Sequence, residues 1–385
     1  MSSKRWLAEW RDGQEKRAIY HCVSRVVDRR FVLKDEEREK FRMFMRMQEN
    51  YSGCRVLAYC VMSNHFHILL EVPPKNHLAL DDAELLKRLA ALYTEAYVAS
   101  VAQELREARE EGNETHVEEI YARFIYRMHD LSEFMKTLLQ RFTRWFNRTH
   151  DRTGTLWEQR YKSVIVESGH AARTMAAYID LNPVRAGMVS DPAEYRWSSY
   201  GEAICGNLKG NGKKARMGLM RACEFREDLQ TREYNQERWK EVVKVYREMM
   251  GMALERKAGA ATEQVKAARA KRDKAEEAYY QAKQAGKSEA ELQRLREEAV
   301  SEVPINNPGM LKMLRHRVRY FTDGAVIGSK EFVNEAFTAA RERFSERRKD
   351  GARKMRGVGK GAGGMLWSVR AVSYTHLTLP MIYSV

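Results

Sequence analysis

Two stretches of the chain hold residues whose types and spacing could do chemistry. The first is Cys60-Val61-Met62-Ser63-Asn64-His65-Phe66-His67-Ile68-Leu69-Leu70-Glu71-Val72, whose later part reads as a strand bounded by Pro73-Pro74. Side chains alternate faces along a strand. Phe66, Ile68 and Leu70 therefore point one way, and His65 and His67 the other, roughly 7 Å apart at the backbone. Two imidazoles on one face can converge on one ion. The second stretch is Tyr178-Ile179-Asp180-Leu181-Asn182-Pro183. Tyr178 and Asn182 stand four apart and project from one face of a helix running from Gly169 to Leu181. Pro183 disfavours helical geometry at Asn182, which puts that amide at a helix end where it is free to act.

The elements that must position these residues follow from periodicity. Arg17 to Val27 has the β-branched and aromatic content of a strand, with Arg25, Arg29 and Arg30 in it or just after it, a cluster suited to phosphates. From Glu36, Phe41, Phe44 and Met45 form the stripe of an amphipathic helix ending near Gly53. Cys54 to Val61 is the next strand, and Ser63-Asn64 turns it into the histidine strand. Asp130 opens a helix through Phe134, Leu138, Phe142 and Phe146, whose polar side carries Lys136, Arg141, Arg144 and Arg148. Gly154 to Val166 is a further strand, and Ser168 is the expected N-cap of the tyrosine helix. Successive strands joined by a short turn are antiparallel, and the helices need a sheet face to cover. The expected fold class is α+β: a ferredoxin-like antiparallel sheet with helices on one face and the histidines on the other, followed by a mostly α-helical C-terminal region.

Composition narrows the rest. The chain has 385 residues and 44% hydrophobic content, enough for one or two packed domains. Lys and Arg outnumber Asp and Glu by 68 to 53, a formal charge of +15 that suits a polyanionic partner. The five cysteines show no C-x-x-C spacing, which argues against a disulfide framework or a structural zinc site. No apolar run is long enough for a membrane span and the N-terminus lacks a signal-peptide core, so a cytoplasmic, nucleoid-associated location is expected. We divide the chain into an N-terminal arm (1–16), a domain over 17–200 with a charged helical insertion at about 76–128, and a linker and helix (201–257). A charged helical hairpin (258–302) and a helical basic region (303–371) come next. In the latter, two helical patterns flank Thr322 to Ser329, a weak helix-turn-helix signal. Residues 372–385 resemble a translated sequencing adapter and are read as a non-native tail.

Met62-Ser63-Asn64-His65-Phe66-His67 together with Tyr178-Ile179-Asp180-Leu181-Asn182-Pro183-Val184-Arg185-Ala186-Gly187 and the intervening basic helix resembles the REP-associated tyrosine transposases. These belong to the single-tyrosine HUH (His-hydrophobe-His) transposase superfamily, and the resemblance covers about residues 17 to 200. It implies a ferredoxin-like catalytic domain that nicks single-stranded DNA beside hairpins; whether it works as a monomer or homodimer is left open. It also implies Tyr178 as nucleophile and His65, His67 and Asn182 as ligands of a divalent metal, Mg2+ or Mn2+. The insertion and everything past residue 200 exceed the minimal domain.

Physical chemistry agrees with those roles. Only about one phenol in a thousand is ionised at neutral pH, so phosphodiester attack by Tyr178 needs help. A divalent ion can polarise the scissile phosphate and stabilise the departing 3′ oxygen. The expected product is a 5′-phosphotyrosyl link, and Arg25, Arg160 and Lys162 are candidates for holding DNA phosphates. Two other readings remain. One is a nonenzymatic single-strand-binding protein that stacks bases on Tyr20, Trp157 and Tyr161. The other is a metal-dependent hydrolase using the histidines without a covalent intermediate.

Overall fold

The computed structural model describes residues 6–8, 16–75, 80–207, 210–223, 234–250, 319–322, 324–344, 348–349, 351–355 and 366–369, with scattered positions between 274 and 294. The expectations for the N-terminal arm, the charged hairpin and the tail lie mostly or wholly outside the described residues.

Four strands make the part of the sheet that carries the histidines: β1 (Ala18–Arg25), β2 (Arg55–Val61), β3 (His65–Val72) and β4 (Lys162–Val166). Their spatial order is β2-β3-β1-β4, with every neighbour antiparallel. Helix α1 (Asp35–Ser52) connects β1 to β2, and the longest helix of the next connection, α5 (Leu131–Thr149), leads from β3 to β4. This is the split βαβ arrangement of a ferredoxin-like sheet. Helix α1 ends where Gly53 adopts φ 72°, a left-handed conformation that glycine takes without a Cβ clash. Asp130 caps α5 by accepting from the backbone N–H groups of Ser132 and Glu133.

Both crossover helices cover the face toward which Phe66 points. Phe41 of α1 lies 4.6 Å from the Phe66 ring and 5.2 Å from Phe142 of α5, centroid to centroid. Between β3 and α5, three helices, α2 (Asp82–Leu89), α3 (Glu95–Glu110) and α4 (Glu114–Ile125), bury their own apolar cluster of Leu85, Leu89, Val101, Leu105, Ile120 and Phe124.

The opposite face takes α6 (His170–Asp180) and the one-turn α7 (Asn182–Arg185). Ala171, Ala172, Ala176 and Ala177 are all buried, and such small side chains let α6 lie close to the sheet. Gly169, at φ 77°, rather than Ser168 occupies its cap position. Asp180 anchors the far end: its carboxylate accepts from the Ser199 hydroxyl, the Tyr200 N–H and the Tyr246 hydroxyl at 2.7, 3.0 and 2.7 Å. Burial pushes its pKa up to about 7, against the lowering by those three bonds. Tyr200 lies in the first turn of α8 (Ser199–Cys205), which is followed by α9 (Asn211–Cys223) and by α10 (Gln236–Met249), the source of Tyr246. The segment leading into α8 and the first residue of α8 close the outer edge of β2, where Val61 N–H donates to Trp197 O at 2.9 Å and Tyr59 N–H to Ser199 Oγ at 3.0 Å.

The C-terminal part adds short strands to the mostly α-helical region expected there. The described residues there form α11 (Arg319–Thr322), β5 (Val326–Gly328), α12 (Lys330–Ala339), β6 (Arg353–Lys354) and β7 (Trp367–Val369). The stretch between α11 and α12 is therefore a strand and not the turn of a helix-turn-helix. β5 pairs parallel to β4, and β7 and β6 extend the sheet to seven strands in the order β2-β3-β1-β4-β5-β7-β6. Glu167 locks the junction by accepting from Ser329 N–H at 2.6 Å and Ser329 Oγ at 2.9 Å. Val326-Ile327 is buried on a short apolar run that periodicity cannot tell from a helix segment.

Candidate active site

The site grows from strand register. Between β1 and β3, Val23 stands opposite His67 and Arg25 opposite His65, and between β1 and β4, Val23 stands opposite Lys162. Directly opposed residues share a face. Lys162, Arg25, His65 and His67 therefore project together, as does His21, two residues before Val23. Arg160, the third candidate for phosphate binding, is exposed in the loop before β4. Of the aromatics considered for base stacking, Tyr20 and Tyr161 are buried core residues and Trp157 is half-buried, so stacking on the first two is corrected by their burial.

Helix α6 brings the tyrosine to this face. The Tyr178 ring centroid is 5.8 Å from that of His67 and 6.0 Å from that of His21, both edge-on. The far end of the chain covers it: Phe321 of α11 stacks on Tyr178 with centroids 4.5 Å apart and planes 15° from parallel. Tyr178 is 1% exposed and Phe321 1%, so the phenol is enclosed in this conformation. Arg185 lies over the Tyr178 ring, 4.2 Å from its centroid, a cation–π contact.

Asn182 sits beside these groups but is not free, as its expected place at a helix end suggested. Helical geometry runs on through Leu181, and Pro183 falls at the start of α7, where its missing N–H is harmless. The Asn182 amide nitrogen donates to the carbonyls of Tyr178 and Ile179 at 3.2 and 3.0 Å, and its oxygen accepts from the Arg185 guanidinium.

The two histidines fit a divalent ion better than the amide does. His65 Nδ1 is 2.7 Å from Asn64 Oδ1, and Asn64 Nδ2 in turn donates to Arg29 O at 3.0 Å, which fixes the orientation of the amide. His65 Nδ1 therefore carries the proton, and its Nε2 keeps the lone pair a metal needs. His67 Nδ1 is 2.9 Å from His21 Nε2, which likewise leaves Nε2 as the metal-facing nitrogen. Burial, then the charges of Arg25 and Arg185, push the pKa of half-buried His65 down to about 3. Burial, followed by its histidine and arginine neighbours, puts His67 well below the usual value. Imidazoles that stay neutral are competent ligands. Among the described residues, no group of three or more His, Cys, Asp or Glu is arranged to hold a metal. His21 does not complete such a set because its ring nitrogens engage His67 and Phe321 O.

Sequence reasoning assigned no role to His21, Arg185 or Phe321. His21 carried a signal in its two-residue alternation with Val23 and Arg25, and Arg185 in its spacing of three from Asn182 and seven from Tyr178. Phe321 carried none.

Residues 14–107 match the family model described as IS200-like transposase. Among solved structures, that of a REP-associated tyrosine transposase bound to a REP hairpin is similar over 55% of this chain and 90% of its own, at 14% identity and a TM-score of 0.34. No curated protein matches. Over residues 14–107, the stretch that holds β1, β3 and both histidines, the chain is matched by the IS200-like transposase family, and the family-level resemblance read from its motifs stands.

Proposed function

We propose that this protein is a metal-dependent single-stranded DNA endonuclease and transposase that cleaves and rejoins DNA next to hairpins through a 5′-phosphotyrosine intermediate. One observation carries the reading: a tyrosine from α6 lies against the His65-Phe66-His67 pair, its ring centroid 5.8 Å from His67. In this mechanism Tyr178 gives up its phenol proton to solvent as Oη attacks the scissile phosphorus, the bond from phosphorus to the 3′ oxygen breaks, and that oxygen takes a proton from solvent and leaves as a 3′-hydroxyl. Rejoining reverses the same exchange and needs no external energy source. His65 and His67 would hold a divalent ion, Mg2+ or Mn2+, which when bound would supply Lewis-acid stabilisation of the phosphate oxygens. Arg185, over the Tyr178 ring and bonded to Asn182, supplies a fixed positive charge beside the phenol ring. Arg25 and Lys162, on the same sheet face, hold backbone phosphates of the single strand. Phe321 must withdraw before a nucleotide can reach Tyr178.

The enclosure of Tyr178 favours the nonenzymatic single-strand-binding reading as the second choice. One assay separates the two. The full chain is incubated with labelled single-stranded hairpin DNA and Mn2+, and a covalent species is sought on a denaturing gel. An adduct is expected for the wild type and none for Tyr178→Phe. Binding without an adduct would leave the nonenzymatic reading, and cleavage without an adduct would point to hydrolysis.

A further inference from the structure

His21 is buried in β1 at 0% exposure, on the histidine face, and neither of its ring nitrogens is spare. Nδ1 is 3.0 Å from Phe321 O and Nε2 is 2.9 Å from His67 Nδ1. A carbonyl oxygen only accepts, so His21 Nδ1 must carry a proton. Its two ring nitrogens meet a carbonyl and a second imidazole, with no carboxylate at either, and an imidazole so placed carries a single proton at pH 7.5. Its Nε2 therefore bears the lone pair and accepts from His67 Nδ1–H. The chain of bonds runs from a backbone carbonyl of the C-terminal region through His21 to His67, and it ends by leaving the lone pair on His67 Nε2.

From this we infer that His21 is a positioning residue: it fixes the tautomer and ring orientation of His67 so that Nε2 is presented to a divalent ion. It acts through His67 and touches neither the ion nor DNA. The metal part of this inference rests on the function proposed above, whereas the tautomer part does not.

The test uses the full-length, metal-free protein labelled with 15N at histidine, and reads both ring nitrogens by multiple-bond proton–nitrogen correlation at pH 7.5. The wild type is expected to show His67 protonated at Nδ1 and bare at Nε2. His21→Phe removes the acceptor, so His67 should move to the Nε2–H form or a mixture. His21→Gln offers an amide oxygen at that place and should restore the wild-type pattern. Mn2+ alone, titrated by electron paramagnetic resonance, should bind roughly 10- to 100-fold more weakly to the Phe variant and within about threefold of wild type to the Gln variant. A purely structural role would leave the tautomer unmoved in both variants. The inference is overturned if wild-type His67 carries its proton on Nε2, or if His67 in the Phe variant keeps the Nδ1–H form. If the Phe variant does not fold, the wild-type spectrum and the Gln variant still decide. Should the tautomer behave as expected while wild type binds no Mn2+, the metal-dependent function fails and the positioning role stands.

Discussion

Replacing Phe321 with alanine isolates the contact that encloses Tyr178, the proposed nucleophile. The ring is 1% exposed and stacks on Tyr178 at 4.5 Å. Burial of a phenylalanine side chain is worth about 1.5 to 3 kcal/mol, and an aromatic pair adds about 0.5 to 1.5 kcal/mol. Their sum, about 3 kcal/mol, is the part of the closed state that the ring itself supplies. At about 1.4 kcal/mol per tenfold change in an equilibrium constant, its removal raises the open fraction on the order of 100-fold. The bonds of Ser329 to Glu167 keep β5 docked, so the rest of the segment still restrains the cover. A rise of at least about tenfold in single-turnover adduct formation is therefore expected. Hydroxyl-radical footprinting with mass spectrometry gives a reading independent of DNA: oxidation of Tyr178 should rise in the variant. If Tyr178 oxidation and adduct formation both stay at wild-type levels while the variant remains folded by circular dichroism, Phe321 does not control access and the reasoning is wrong.

Further expectations concern the scaffold and the proposed DNA-binding face. A Cβ at Gly218 of α9 would meet Val56 O at 2.5 Å and Leu57 O at 2.9 Å, both unyielding backbone atoms, so Gly218→Ala should lower stability by about 1 to 3 kcal/mol in urea titration. A melting curve identical to wild type would refute that close approach. Glu71 is 1% exposed and pairs with Arg221 at 2.7 Å, Arg55 at 2.9 Å and Arg17 at 3.6 Å. Burial alone would raise its pKa, but Arg221 first, then Arg17 and Arg55, hold it below the usual carboxylate value. The stability it contributes is present above the unfolded-state pKa and is lost as pH falls through the lower folded-state value. Glu71→Gln should therefore be less stable by about 2 to 4 kcal/mol at pH 7, with the gap narrowing below about pH 4; a gap independent of pH contradicts the ion-pair account. Neutralising Arg25 and Lys162 together, as Arg25→Gln and Lys162→Gln, should reduce the salt dependence of single-strand binding by a log–log slope of about 1.4, measured by fluorescence anisotropy. An unchanged slope would remove both from the DNA path.

Much of the site was legible because its signals are local. A His-x-His pair on a strand must share a face, whatever the strand packs against. A four-residue spacing on a helix must align Tyr178 with Asn182. Gly53 and Asp130 mark helix ends through their own backbone and side-chain chemistry, and both sit where the structure ends or caps a helix. The split arrangement of the sheet followed because the Ser63-Asn64 turn leaves β2 and β3 no option but antiparallel pairing.

Other features depend on contacts between residues far apart in the chain, and local rules are silent about those. The Asn182 amide was expected at a free helix end, but its oxygen meets Arg185 because the helical path continues through Pro183. The register of β1 against β3 places His21 beside His67, and register is set by pairing rather than by composition. The extension of the sheet by β5, β7 and β6 came from runs too short for periodicity to identify. Sequence alone determined which side chains could act and which of them share a face. Only the tertiary structure decided that a ring some 140 residues further on covers the phenol, because a stacking contact depends on the path of the whole chain and leaves no period in the residues that make it.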